Sequence, residues 1–410
     1  MSGSPPAPPP PASAWALRPL RQWLLVRACA VACIQLISTA VGWQVWELTG
    51  EPLDLGLVGL SVFLPTLFLW PVTGLAADRW PRRDIVRFNL AVAAGVGVGL
   101  ALLAGRSLDG PGPIFGLMFV LALGRVFGNP ASQAMVAGLV PRALLPQALS
   151  LTSATFQALT IAGPAVAGLI IGIAGLSVVY AVAAVLAVIA LLATIGLPPC
   201  RGEGQARGWG DVLDGLRYLR GRPVLLGAIS LDLLVVLLGG ATALMPVYAT
   251  DVLQVGAEGM GLLRAAPAVG AVGMALALAR RPPQRRVGRK LLVAVAGFGL
   301  ATVGFGLSTS LWTALPMLVL VGITDEVSVM LRTSLVQVQT PDAYRGRVSA
   351  VNSVFVGISN EVGELESGAL AAAVGPVAAV VLGGLGSLGV VAAFWRFAPH
   401  LRDVDRVEEG

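Results

Sequence analysis

Residues 174–197 read AGLSVVYAVAAVLAVIALLATIGL, a run of 24 positions without a charged side chain. A bilayer core about 30 Å thick is crossed by about 20 apolar residues in a helix, so this stretch is long enough to span one. Scanning outward gives eleven more such runs: 24–48, 55–77, 88–105, 113–138, 149–172, 223–249, 259–279, 291–309, 311–333, 348–373 and 375–397. The alternating segments of about ten residues that mark a transmembrane β-barrel are not visible. Composition agrees: 56% of the 410 residues are apolar and 12% are charged, about half the charged share of a soluble domain. Mean hydropathy is +0.82. Soluble enzyme classes drop out, and the sequence predicts an all-α membrane protein with twelve transmembrane helices.

The basic residues orient those helices. With the N-terminus placed inside the cell, 25 of the 28 fall in cytoplasmic segments, Arg332 among them. Arg106 falls outside, and Arg125 and Arg264 fall within spans. Such asymmetry is the positive-inside signature, and it predicts a multi-pass plasma (inner) membrane protein of a bacterium with both termini cytoplasmic. It also accounts for the net charge of +6 as attraction to anionic lipid rather than to nucleic acid. The expected partners are a small-molecule substrate and the bilayer, and the chain is expected to be a monomer.

Residues 1–22 begin with a Pro/Ser/Ala tract that cannot build a core, and are read as a disordered cytoplasmic N-terminus. The first apolar run is late and long, so it is read as an uncleaved span rather than a signal peptide. Cys29, Cys33 and Cys200 offer no disulfide framework and read as small fillers, and His400 suggests no role. No nucleotide-binding loop, metal-ligand cluster or catalytic triad is visible, so no cofactor is expected. A proton gradient is the expected drive.

The Gly- and Arg-rich segment 198–222 divides the chain near its middle, with residues 23–197 and 223–397 as two six-helix bundles and 398–410 as a tail. An offset of 200 residues aligns the halves: Pro141 meets Pro341, Ala143 meets Ala343, Ser153 meets Ser353, Gly163 meets Gly363 and Gly168 meets Gly368. Internal duplication of this kind is common among secondary transporters.

After the second span the chain reads Gly74-Leu-Ala-Ala-Asp78-Arg79-Trp-Pro81-Arg82-Arg83. This resembles the cytoplasmic signature of the major facilitator superfamily, G-x-x-x-D-R-x-G-R-R/K, with Pro81 where the family usually has Gly. The resemblance implies a latch between the halves built on Gly74, Asp78, Arg79, Arg82 and Arg83, with the arginines also able to anchor to lipid phosphate. Span five carries Gly163-Pro164-Ala-Val-Ala-Gly168, which looks like part of the superfamily's exporter motif but lacks its upstream glycines. Gly and Pro there would equally serve close helix packing. The run Thr340-Pro341-Asp342-Ala-Tyr-Arg345-Gly346-Arg347, with Ser359-Asn360-Glu361-Val-Gly363-Glu364-Leu-Glu366 and Gly261-Leu-Leu-Arg264, is similar to the enterobactin-exporter-like branch. That branch implies efflux of siderophores or drug-like molecules.

Six acids fall within spans: Asp232, Asp325, Glu326, Glu361, Glu364 and Glu366. Each would cost about 2.5–3.5 kcal/mol if charged and unpaired at a helix centre. They must therefore be paired, protonated or in water. Asp232 lies about nine residues into span seven, roughly 14 Å deep. Glu361 and Glu364 share a face, with Asn360 on its flank, and these three acids are read as coupling or substrate residues. Glu366 and Glu326 are read as structural ion-pair members, with Arg264 as the expected partner of Glu366. The resemblance puts Asp232, Asp325 and Arg125 toward a central cavity, where Arg125 and Asp325 stand at equivalent repeat positions and could pair. In span one, Gln35, Ser38 and Thr39 form a polar stripe that could touch substrate, while Trp43 and Trp46 read either as cavity residues or as an interfacial belt. The sequence thus predicts a secondary transporter, with proton-coupled efflux of a small amphipathic molecule favoured over an uncoupled facilitator or importer, and over a non-transporting receptor.

Overall fold

The computed structural model describes residues 14–200, 209–239, 241–280 and 285–406. The Pro-rich residues 1–13, much of the central segment and residues 407–410 lie outside the described residues. Twelve long helices fall on the twelve apolar runs: α1 (Arg18–Thr49), α2 (Pro52–Arg79), α3 (Arg82–Ala104), α4 (Gly112–Leu139), α5 (Leu145–Ala174) and α6 (Leu176–Ala193) in the first half. After a short helix α7 (Trp209–Arg220) come α8 (Pro223–Leu238), α9 (Gly256–Arg280), α10 (Val287–Gly306), α11 (Leu311–Gln339), α12 (Asp342–Val374) and α13 (Pro376–Phe397). Eleven of these segments are long and apolar enough to cross a membrane. The remaining one, α12, carries Glu361, Glu364 and Glu366.

Packing repeats between the halves. In the first half α3 lies against α4 and α6, α2 against α4, and α1 against α5 and α6. In the second half α10 lies against α11 and α13, α9 against α11, and α8 against α12 and α13. The halves meet where α5 crosses α9 and where α2 crosses α12.

Those crossings explain the glycines read from the 200-residue offset. A methyl group at Gly261 on α9 would lie 2.6 Å from the Pro164 carbonyl oxygen and 3.1 Å from the Gly168 Cα. One at Gly368 on α12 would lie 2.7 Å from the Pro52 carbonyl oxygen and 3.1 Å from the Gly56 Cα. Gly163 gives way to Gln35 of α1, and Gly363 gives way to the backbone of α8 at Val236 and Leu237. Each repeat glycine therefore does the same task in its own half. The offset also extends to Gly175 and Gly375, which turn α5 into α6 and α12 into α13 at φ +84° and +87°.

Both crossings sit near the end of the bundle that carries few arginines. The apolar cluster there joins the halves, with Trp46, Tyr180, Tyr248 and Phe305 among its members. At the arginine-rich end the apolar clusters stay on their own sides, one within α1–α6 and its flanks and the others within the second half and α7.

Three expectations need correction, and one reading left open is decided. The N-terminal segment is ordered from Ala14: its backbone N–H donates to Gln147 Oε1 at 2.9 Å, and Ala14 and Leu20 are fully buried. The central segment is not simply a loop, because α7 packs Leu219 into a cluster with Val348 and Val351 of α12, and Tyr218 stacks on Tyr344 at 4.4 Å between centroids. Span seven is not one helix. It ends at Gly239, against which the Phe298 ring sits, and resumes over residues 241–252 as short turns of changing pitch. Trp43 and Trp46 are buried rather than belted at an interface, and the Trp46 indole donates to Thr250 Oγ1 at 2.6 Å. All three cysteines are free, and burial pushes the Cys200 thiol up against the pull of Arg82 and Arg83.

Replacing Gly168 or Gly368 by alanine is expected to cost about 1–3 kcal/mol through backbone overpacking. Gly95 and Gly116 have open space around them, and alanine there is expected to be neutral or stabilising by helix propensity. Thermal unfolding of the four purified variants in detergent checks this contrast.

Candidate functional site

The acids sort into two groups. In the first, Asp232 of α8 faces Arg332 of α11, with Nη1 3.0 Å from Oδ2 and side-chain exposures of 9% and 6%. The same Nη1 donates to Asn352 Oδ1 of α12 at 2.9 Å, while the buried Nε has no partner. One arginine thus ties three helices. Asp325, two helical turns before Arg332, interacts electrostatically with Asp232, Arg332 and Glu326. Sequence reasoning assigned Arg332 to a cytoplasmic segment, so it counted too few basic partners within the spans. The i,i+7 spacing from Asp325, which places both on one helix face, was the available signal.

The second group lies at the α2–α12 crossing. Glu361 and Glu364 interact with each other, and both are within electrostatic reach of Arg125 on α4; Glu364 is also within reach of Arg264 on α9. Gly59 of α2 makes room for Glu364, since a methyl group there would lie 2.7 Å from Oε2. These neighbours differ from the two expected pairings. Arg125 is within electrostatic reach of Glu361 and Glu364, while Asp325 has Arg332. Arg264 turns away from Glu366 and donates to the Ser38 carbonyl oxygen at 2.8 Å and to Ser38 Oγ at 3.3 Å. Glu366 accepts from its neighbour Ser367 at 3.4 Å. Glu326 makes no ion pair among the described residues, so its reading as a structural pair member is also corrected.

The polar stripe of span one does not open as a unit. Gln35 packs against Gly163, Ser38 holds Arg264, and Thr39 is sealed at 1% exposure with its hydroxyl unpartnered. Tyr180 donates to Gln44 Oε1 at 2.7 Å. A cavity of about 420 Å³ is lined mostly by the second half, with Gln157 and Thr160 contributed by the first. Gln157 and Thr160 come from α5, Asp325 and Glu326 from α11, and Asn360 and Glu364 from α12, with Phe298, Met245 and Pro267 among the apolar walls.

The side chains of Gly74, Asp78 and Arg79 lie outside the described residues. Arg82 and Arg83 are described, and they neither reach the other half nor hang free for lipid. Arg82 donates to the Ala134 carbonyl of α4 at 3.1 Å and Arg83 to the Leu197 carbonyl beyond α6 at 3.0 Å. Arg87 adds Thr194 Oγ1 at 2.9 Å. These cations satisfy carbonyls near helix C-termini and fasten the first half internally.

Two pseudo-symmetric six-helix bundles, with an acid-bearing cavity lined mainly by the second, agree with the sequence model of the Major Facilitator Superfamily, which matches residues 23–364. The chain belongs to the Major Facilitator Superfamily. It is a multi-pass membrane transporter of that superfamily. It is 29% identical over 377 residues to the enterobactin exporter EntS of Shigella boydii serotype 4, covering 90% of this chain and 89% of the relative. It is 28% identical over 378 residues to the EntS protein of Escherichia coli O139:H28, with the same coverage. In fold it is similar to a bacterial homologue of the lysosomal transporter Spinster in an inward-facing, occupied conformation, at TM-score 0.75 and 15% identity, covering 93% of this chain and 96% of that one. The nucleoside transporter NupG gives 0.69 at 13% identity, covering 92% and 98%.

Removing Arg332 would leave Asp232 buried and unpaired. Arg332→Met is therefore expected to destabilise by about 3–5 kcal/mol, and the double variant Asp232→Asn/Arg332→Met to recover most of that loss. Unfolding of the two variants in mixed micelles measures the difference.

Proposed function

We propose that this chain is a proton-coupled exporter of a small amphipathic organic molecule, siderophore-like or drug-like, working by alternating access in a bacterial inner membrane. The observation that carries the reading is the position of Glu361 and Glu364, which lie where the two halves touch and beside the cavity. Embedded acids are costly and usually functional. A carboxyl neutral in one conformation and charged in the other links proton movement to the change of access.

The arginine-rich end is taken as cytoplasmic by the positive-inside rule. With the opposite end sealed by glycine crossings, the structure is then closed to the outside. The resemblance to a transporter described as inward-facing supports that reading, and the relatives named as enterobactin exporters support the outward direction. In the cycle, Glu361 or Glu364 takes a proton from outside as substrate leaves, the outer end closes, and the proton is released to the cytoplasm as substrate binds. Arg125 and Arg264, within electrostatic reach of Glu364, offset part of the cost of a charge there. Asp232, already paired with Arg332, braces α8 against α11 and α12.

The test is proton flux in proteoliposomes on addition of a panel of amphipathic substrates. The wild-type chain is expected to move protons against substrate, and Glu361→Gln/Glu364→Gln to lower that coupled flux at least tenfold at equal reconstitution. Undiminished substrate transport without proton movement would make the chain an uncoupled facilitator.

A further inference from the structure

The cavity has a charge character that its neighbourhood sharpens. Among the described residues its lining includes Asp325, Glu326 and Glu364 and no Arg or Lys. Two of these acids have cations within reach from outside the lining. Glu364 has Arg264 and Arg125, and Asp325 has Arg332. Glu326 has neither an ion pair nor a hydrogen bond among the described residues, and the charged group beside it is another acid, Asp325. It is only partly buried and opens onto the cavity.

Much of the rest of the lining is apolar. Phe298 is held in place at the break of span seven, its ring edge 2.8 Å from where a methyl group on Gly239 would lie. Met245, Pro267 and Leu318 extend the surface. The volume falls in the range of about 300–1,000 Å³ usual for small-molecule sites. An aromatic face attracts cations by its quadrupole, and a carboxylate in a low-dielectric site gains most from a desolvated opposite charge.

We propose that the cavity takes a monovalent organic cation with an apolar body, and that Glu326 is the carboxylate that holds its charge. This rests on the transporter reading above and names its substrate class. An organic anion would meet three carboxylates with no basic side chain on the lining. A cation would meet one carboxylate with no competing arginine, and its apolar body would cover Phe298. On this account Glu326 sets charge selectivity, while Glu361 and Glu364 set coupling.

The experiment uses two probes of the same shape and opposite charge, tetraphenylphosphonium and tetraphenylborate, in equilibrium binding to the purified full chain in detergent. Saturable binding of the phosphonium is expected, with Glu326→Gln weakening it at least tenfold and Glu326→Asp retaining part of it. Glu366→Gln, on α12 but outside the cavity lining, is expected to keep wild-type affinity, and matched thermal unfolding shows that each variant is folded. Saturable borate binding at equal or higher affinity would overturn the proposal. So would a lack of saturable phosphonium binding, or wild-type affinity in Glu326→Gln. Binding in detergent needs neither a gradient nor a direction. Loss of coupling in proteoliposomes with phosphonium binding intact would therefore count against proton-coupled export and leave the cation site standing.

Discussion

Two glycine-to-glycine crossings hold the halves of this transporter together, Gly168 against Gly261 and Gly56 against Gly368. Lipid offers no hydrophobic drive to press helices together, so close packing and polar contacts must do it. Where the backbones touch there is no space for a side chain. The crossings lie at one end of the molecule, and the apolar cluster that bridges the halves lies with them. At the other end each half keeps its own core. Among the described residues, the end where the halves join is the end where these small residues fall. The position of Glu364 follows too, since Gly56 and Gly59 bring α2 onto the turn of α12 that bears it.

On this frame the embedded charges divide by whether their needs are met. Asp232 and Arg332 satisfy each other and recruit Asn352. Such a pair adds little net stability but is costly to break, which suits a brace between α8, α11 and α12. Around the cavity and the α2–α12 crossing, acids outnumber bases: Glu361 and Glu364 have Arg125 and Arg264 within reach, Asp325 has Arg332, already committed to Asp232, and Glu326 has no cation beside it among the described residues. On the proposals above, that imbalance leaves carboxylates for protons and cationic ligands.

Much of this was legible in the sequence. Apolar runs located all twelve long helices, and the repeat glycines Gly163, Gly168, Gly363 and Gly368 proved to mark equivalent contacts. What was missed has physical reasons. The tally of basic residues by side put Arg332 in the cytoplasm although it falls within the run 311–333, and α11 runs on to Gln339. The repeat was followed to Gly168 and not to Gly175, because a left-handed turn leaves no hydropathy trace. The partners of Arg125 and Arg264 depend on which helices cross, and intramembrane periodicity does not reveal that. The short helix α7 was missed because the Gly and Arg content of its segment read as a loop, although Val212, Leu216 and Leu219 recur at helical spacing.

The central claim is that charge on Glu361 and Glu364 decides whether the glycine-sealed end stays shut. Burying both as carboxylates beside each other is costly, with Arg125 and Arg264 offsetting part, so deprotonation should favour opening to water. Spin labels at Ser107→Cys and Thr309→Cys, exposed positions in the α3–α4 and α10–α11 connections of that end, would report it on a background with Cys29, Cys33 and Cys200 replaced by alanine. The account predicts a short inter-label distance at low pH that gives way to a longer one as pH rises, and a short distance at every pH in Glu361→Gln/Glu364→Gln. A distance distribution that ignores pH in the wild-type glutamate background, or that shifts equally in the glutamine pair, would contradict it.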